Sequence, residues 1–247
     1  MSLSTPTALD RAPWEAPLAP VASRFARLRA RARCEALARL LPRSVLFAGA
    51  PRTGRGKRVA LTFDDGPDAM TPLCLDALDT LGVRATFFLI GANLAATGDM
   101  AAKYVSRGHE VGGHGWSHQS FPSLSPYELL DEVERTEALL PSPRLGPKLV
   151  RPPRGEFSAG TLLRLAAAEY VTVLWSVDSD DCRTRDPRVI EQRLAPGRVH
   201  PGDVVLLHEM QPWTLEALRG AVGALRAKGF DFVTVSELMK EDIHGQA

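Results

Sequence analysis

The chain has 247 residues, 45% hydrophobic and 24% charged, with a formal net charge of +1. This suits one large α/β domain, or a medium domain with an extension, and excludes a field strong enough to make nucleic acid the main partner. Cys34, Cys74 and Cys182 are an odd number, far apart and without a Cys-x-x-Cys pair, which argues against a disulfide framework or zinc knuckle and for a reduced, intracellular set.

Residues 1–22 are rich in Pro, Ala, Ser and Thr and are expected to be disordered or laid over the surface. They contain no apolar leader core, so the chain as given is expected to be cytoplasmic. Residues 24–47 read as a helix with Arg24, Arg27, Arg31 and Arg39 on one face and Phe25, Ala32, Ala36 and Leu40 on the other. So narrow and Ala-rich an apolar face suits a solvated helix packed on the main domain better than a basic helix docked on a membrane. Residues 51–57 read as a linker. The division expected is an N-terminal extension over 1–57 and a main domain over 58–247.

From residue 59, short β-branched or aromatic runs alternate with helical segments. Strands are expected at 59–63, 85–89, 110–112, 149–151, 172–176, 204–208 and 232–235. Thr71-Pro72 reads as a helix cap followed by proline at the first turn, and Ser125-Pro126-Tyr127-Glu128 as a capping box. The uncharged stretch from Ala85 to Gly98 is too short to cross a bilayer, so no transmembrane segment is expected. Seven strands separated by helices predict a parallel sheet, and its closure into a barrel gathers the loops after the strands at one mouth.

Those loops carry the chemistry. Asp64 and Asp65 end the first apolar run ahead of Gly66-Pro67; alone, such a pair reads first as a turn. His114-Gly115-Trp116-Ser117-His118 follows the third strand. Two imidazoles at that spacing suit Zn²⁺ or a similar borderline ion, and Asp65 is the candidate carboxylate to complete a three-ligand site with an open position. Arg151-Pro152-Pro153-Arg154-Gly155 follows the fourth strand, its prolines stiffening the backbone and its glycine admitting a close ligand. Asp178, Asp180 and Asp181 follow the fifth, where a solvated acidic turn is the plainer reading. His208 ends the sixth, a position where a rim histidine is unexceptional.

Taken together, these five segments, with Thr86-Phe87-Phe88, Gly91 and Asn93, resemble the polysaccharide deacetylase (NodB-homology) family of carbohydrate esterases in motif order and spacing from Val59 to Leu238. The resemblance implies a distorted (β/α)7 barrel with an N-terminal helical extension, residues 58–247 being the catalytic domain. It implies hydrolysis of an N-acyl group, in the first instance acetyl, from an amino sugar or glycan. Asp64 would be the general base, Asp65, His114 and His118 the ligands of one divalent metal, and His208 the general acid. Arg151 would hold the base and Asp181 would support His208. The metal expected is zinc, with cobalt or nickel as alternatives.

Pro152, Pro153, Arg154, Cys182 and Leu207 would face the substrate, with the Arg154 backbone N–H serving the oxyanion and Leu207 walling the acyl group. Three departures from the family pattern stand out. Gly115 replaces a Ser or Thr and is expected to loosen the histidine loop, Arg154 replaces a Tyr, and Cys182 replaces a Trp of the acyl pocket. Two other readings stay open: a deacylase or deformylase of a small or lipid-linked amide, and a catalytically silent glycan-binding module. Oligomeric state is not legible.

Overall fold

In the computed structural model, which describes residues 44–46, 56–141 and 146–244, strands alternate with helices along the chain. The strands are β1 (Val45–Leu46), β2 (Lys57–Asp64), β3 (Thr86–Leu89), β4 (Glu110–Gly113), β5 (Lys148–Val150), β6 (Tyr170–Val173), β7 (Val177–Asp178), β8 (Val204–His208) and β9 (Phe230–Phe232). The helices are α1 (Thr71–Leu81), α2 (Gly91–Thr97), α3 (Met100–Ser106), α4 (Pro126–Glu137), α5 (Ala159–Ala167), α6 (Pro187–Arg193), α7 (Pro212–Ala227) and α8 (Val235–His244).

Every ladder is parallel, in the order β1-β6-β5-β4-β3-β2-β8-β7, with β9 beside the start of β2. The sheet curls into a distorted (β/α)7 barrel. Among the described residues no ladder joins β1 to β7, so hydrogen bonds do not close the ring.

Strand alternation sorts the core into two layers. Leu61, Phe63, Phe87, Leu89, Val205 and Leu207 face outward and pack with Leu75 and Leu78 of α1 and Leu218 and Val222 of α7. Ala60, Phe88, Leu149, Val173 and Val204 form the inner layer. Each fully buried large side chain contributes about 1.5–3 kcal/mol.

The register sets the mouth: Asp64 pairs with Phe88 on one side and with His208 on the other, and Gly113 pairs with Val150.

Several expected boundaries move. The Arg-rich helix read over 24–47 lies mostly outside the described residues, and the described part, residues 44–46, is not helical. Val45 and Leu46 pair with Thr172 and Val173, burying two apolar residues at the sheet edge. Lys57 opens β2 and is not linker; 51–55 lie outside the described residues. β6 begins two residues earlier than expected, and the two-residue β7 is too short to leave a pattern.

β9 stops at Phe232 because Thr234 starts a capping box: its Oγ1 accepts from Glu237 N–H at 3.3 Å, and Glu237 Oε2 accepts from Thr234 N–H at 3.0 Å. Thr71 is the first residue of α1, after Met70 at the cap, and its Oγ1 accepts from Asp68 N–H at 2.8 Å. The Ser125–Glu128 capping box forms as read.

Candidate active site

Among the described residues, five non-glycine residues have positive φ, and four of them stand in the loops after the strands: Asp65 at 75°, His118 at 58°, Arg154 at 57° and Asp180 at 62°. Left-handed backbone costs such residues about 1 kcal/mol or more apiece, so its concentration at one end of a barrel marks a site where geometry has been fixed against local preference.

Asp64 lies at the end of β2, buried, with Arg151 beneath it. Arg151 Nη1 donates to Asp64 Oδ1 at 2.7 Å and to Thr62 Oγ1 at 2.8 Å; Nε and Nη2 donate to the carbonyls of Val173 and Leu174, both at 3.1 Å. The guanidinium also stacks on Phe88, 4.2 Å from the ring centroid. Burial draws its pKa down while Asp64 pushes it back up. Far from being solvated, Arg151 is fully enclosed and fixes one carboxylate oxygen, while Asp64 Oδ2 lies 3.7 Å from His114 Nε2.

Asp65, His114 and His118 converge. Asp65 Oδ1 is 3.5 Å from His114 Nε2 and 3.3 Å from His118 Nε2, yet among the described residues this buried oxygen has no hydrogen-bond partner. His114 Nδ1 meets the Arg151 carbonyl at 2.8 Å, so Nδ1 carries the proton and Nε2 presents a lone pair. Burial lowers the His114 pKa against the opposing pull of Asp64 and Asp65, favouring the neutral ring. Burial alone would raise the Asp65 pKa, but His118, His208 and His114 hold it well below the usual carboxylate range.

The His114 Nε2 lone pair and the Asp65 carboxylate oxygen face each other with no proton between them, and they repel unless a cation sits there. Bonds of about 2.0–2.2 Å to a tetrahedral Zn²⁺ put ligand atoms roughly 3.3–3.5 Å apart, the separations found here. The three side chains fit a divalent metal.

Opposite them, His208 Nδ1 binds Asp181 Oδ1 at 2.7 Å, and Asp181 Oδ2 accepts from His208 N–H and Thr214 Oγ1, each at 2.7 Å. Burial would lower the His208 pKa, but Asp181 raises it well above the ordinary imidazole value. The expected solvated acidic turn is a tied one: Asp181 is fully buried, and Asp180 is bonded by Arg183 and Arg193.

A sequence model described as "Polysaccharide deacetylase" matches residues 52–173. The chain is 34% identical to the chitooligosaccharide deacetylase of Bradyrhizobium sp., over 74% of this chain and 90% of that protein. It is 31% identical to the peptidoglycan-N-acetylglucosamine deacetylase PgdA of Listeria monocytogenes, over 83% of this chain. It also superposes with a TM-score of 0.75 on the crystal structure of the Bc1960 peptidoglycan N-acetylglucosamine deacetylase, at 31% identity, covering 82% of this chain and 95% of that one.

The chain belongs to the polysaccharide deacetylase family. It spans 44% of the length of the Listeria relative.

Within a polysaccharide deacetylase barrel, the remaining expected residues divide. Pro152 and Pro153 are buried and Arg154 is exposed at the rim. The next two N–H groups, of Gly155 and Glu156, bond back to the carbonyls of Pro152 and Pro153. Gly155 does not make room for a ligand: a Cβ there would lie 2.5 Å from the Trp175 indole, so the glycine admits that ring. Cys182 is half-buried beside Asp181 and His208, its ligand atom within 4.8 Å of theirs.

Leu207 does not line the pocket. It is fully buried in the outer layer, because alternation turns it away from His208. Leu206 faces inward with His208, and the period of two could have identified it. Gly115 does not leave its loop slack either, since the side chain of Glu132 holds Trp116 and Ser117.

Sequence reading also missed Glu209, which lies under the Asp64–Pro67 turn and accepts from Tyr104 Oη at 2.7 and 2.9 Å. Burial lifts its pKa to about 7, despite stabilisation by Thr71 and Tyr104.

Proposed function

We propose that this chain is a metal-dependent hydrolase that removes an N-acetyl group from an amino sugar within a glycan. The observation that carries the reading is the unpartnered Asp65 Oδ1 between His114 Nε2 and His118 Nε2, one residue from an Arg151-bound Asp64 and across a strand pair from His208. Two imidazoles and a carboxylate favour zinc, with cobalt and nickel as substitutes. When bound, the ion supplies Lewis-acid polarisation of the amide carbonyl and a lowered pKa for water.

The chain's own groups do the rest. Asp64, its other oxygen held by Arg151, takes the proton of the water that adds to the carbonyl carbon. The Arg154 N–H donates to the oxyanion. His208, kept cationic by Asp181, gives its proton to the nitrogen as the C–N bond breaks, releasing acetate and a free amine. Arg151 and Asp181 set orientation and charge without touching the substrate. A silent glycan-binding module has no need of a paired base and acid, which is why catalysis is the better reading.

The scattered cysteines support a cytoplasmic location, which cell fractionation tests, and such a location would favour soluble amino sugars over an assembled wall. Amine release from chitooligosaccharide, peptidoglycan, monomeric N-acetyl sugars and N-formyl analogues, each with added Zn²⁺ or Co²⁺, tests the activity. Turnover of the soluble chitooligosaccharide is expected; turnover of peptidoglycan alone would overturn the cytoplasmic reading, turnover only of the formyl compounds would favour a deformylase, and turnover of none would overturn catalysis.

A further inference from the structure

The two metal-site histidines are held differently. His114 is fixed through its own ring, by the bond from Nδ1 to the Arg151 carbonyl. Among the described residues the His118 ring has no such partner; its near contacts are Asp65 Oδ1 and the His114 ring, whose centroid is 5.1 Å away. His118 is therefore placed by its backbone, and that backbone is left-handed, at φ 58°.

Glu132 of α4 grips that backbone. Its Oε2 accepts from the N–H groups of Trp116 at 2.6 Å and Ser117 at 2.8 Å, and its Oε1 accepts from Ser117 Oγ at 2.6 Å. Three short bonds to one carboxylate, two of them from consecutive amides, make a charge-assisted clamp on the segment between the histidines. Gly115 admits it: φ there is +75°, and a Cβ would stand 3.2 Å from Glu132 Oε2 and 3.1 Å from the Phe121 ring. The other side of the loop is tied to α2, where the N–H groups of Gly91 and Ala92 donate to the carbonyls of Gly115 and Trp116 at 2.9 and 3.0 Å.

We infer that Glu132 is a positioning residue for metal binding, acting through His118, an inference that rests on the metal site proposed above. The glycine at 115 and the glutamate at 132 work as a pair. With no hydroxyl at 115 to steady the loop, a carboxylate from the neighbouring helix passes into the space that a side chain would fill and does so from outside. Glu132 is 8% exposed and touches no reacting group; its effect falls on the ligand's position.

The test is the zinc dissociation constant, measured by competition with a chromogenic chelator on the full chain. Parent protein is measured first: absence of zinc binding there overturns the metal site itself. Given binding, Glu132→Ala is expected to weaken it about tenfold or more, the range typical for loss of a group that orients a ligand. Glu132→Gln retains an acceptor for both amides and is expected to stay within about threefold of the parent. In a His118→Ala background Glu132→Ala should change nothing further, whereas in a His114→Ala background its effect should persist. If Glu132→Ala does not fold, Glu132→Asp withdraws the carboxylate by one methylene and should show the same pattern at reduced size. Unchanged zinc affinity in the folded variants, or equal effects in both histidine backgrounds, overturns the inference.

Discussion

Asp64 and His208 are register partners across β2 and β8, so the carboxylate assigned as base and the imidazole assigned as acid leave neighbouring strands at the same level and on the same inner face. Each is bound from behind, Asp64 by Arg151 at 2.7 Å and His208 by Asp181 at 2.7 Å. One amide placed between them meets a proton acceptor and a proton donor.

Asp64→Asn and His208→Ala should each lower kcat by about a hundredfold or more while leaving zinc bound, because each removes a proton transfer and no ligand. Asn at 64 keeps an oxygen acceptor for Arg151 but removes its counter-charge, so this variant should also lose up to about 3–5 kcal/mol of stability. Steady-state rates together with metal content check this. Activity within a few-fold of the parent in either variant contradicts the roles.

The Asp181–His208 pair sets the alkaline limit. His208 must be protonated to donate, and its pKa stands well above 6.5 against the effect of burial, through Asp181. Activity should therefore persist above pH 6.5 and fall as pH rises through the folded value. The pair's stability contribution has the same sign, fully present below the ordinary imidazole pKa and lost through the raised one. Asp181→Asn should move the alkaline limb of the kcat profile to lower pH; an unmoved limb would show that another group sets it.

Glu209 predicts the stability profile. Its pKa rises from 4.5 to about 7, with burial the largest cause. Between those values the native state binds more protons than the unfolded one, so this group's contribution falls as pH rises through that window, by about 3 kcal/mol in all. Glu209→Gln should flatten the decline and stabilise the protein at pH 8. Denaturant titrations at pH 5, 7 and 8 check it, and an unaltered slope rejects it.

Leu206 and Leu207 should separate activity from stability. Leu207→Ala empties space in the outer core and should cost about 2–5 kcal/mol with little change in kcat/KM of the folded enzyme. Leu206→Ala should alter kcat/KM and the preference between acetyl and longer acyl groups. Equal effects on both properties from both variants would undo the assignment of faces.

The parallel β/α architecture was legible because its signals are local: apolar runs of strand length, the Ser125–Glu128 capping box, and a reactive residue at or just after the ends of β2, β4, β5 and β8. The convergence of Asp65, His114 and His118 is legible as spacing plus a shared mouth. What sequence reading missed depends on packing. Glu132 looks like one more charge on a polar helix, yet it falls on the stripe of Leu129, Val133 and Thr136, where a carboxylate has no reason to be unless a partner waits inside. Gly155 looked like an opening for a ligand because the Trp175 ring that fills the space lies 20 residues along the chain. Two-residue strands such as β1 and β7 carry no period to detect.

The most direct measurement is a titration of chelator-stripped protein with Zn²⁺, followed by acetate release from an N-acetylglucosamine oligomer. A single metal held by Asp65, His114 and His118 predicts no release without metal, a linear rise, and a break at one equivalent per chain. Full activity in the stripped protein, or no acetate at any zinc level, would contradict it.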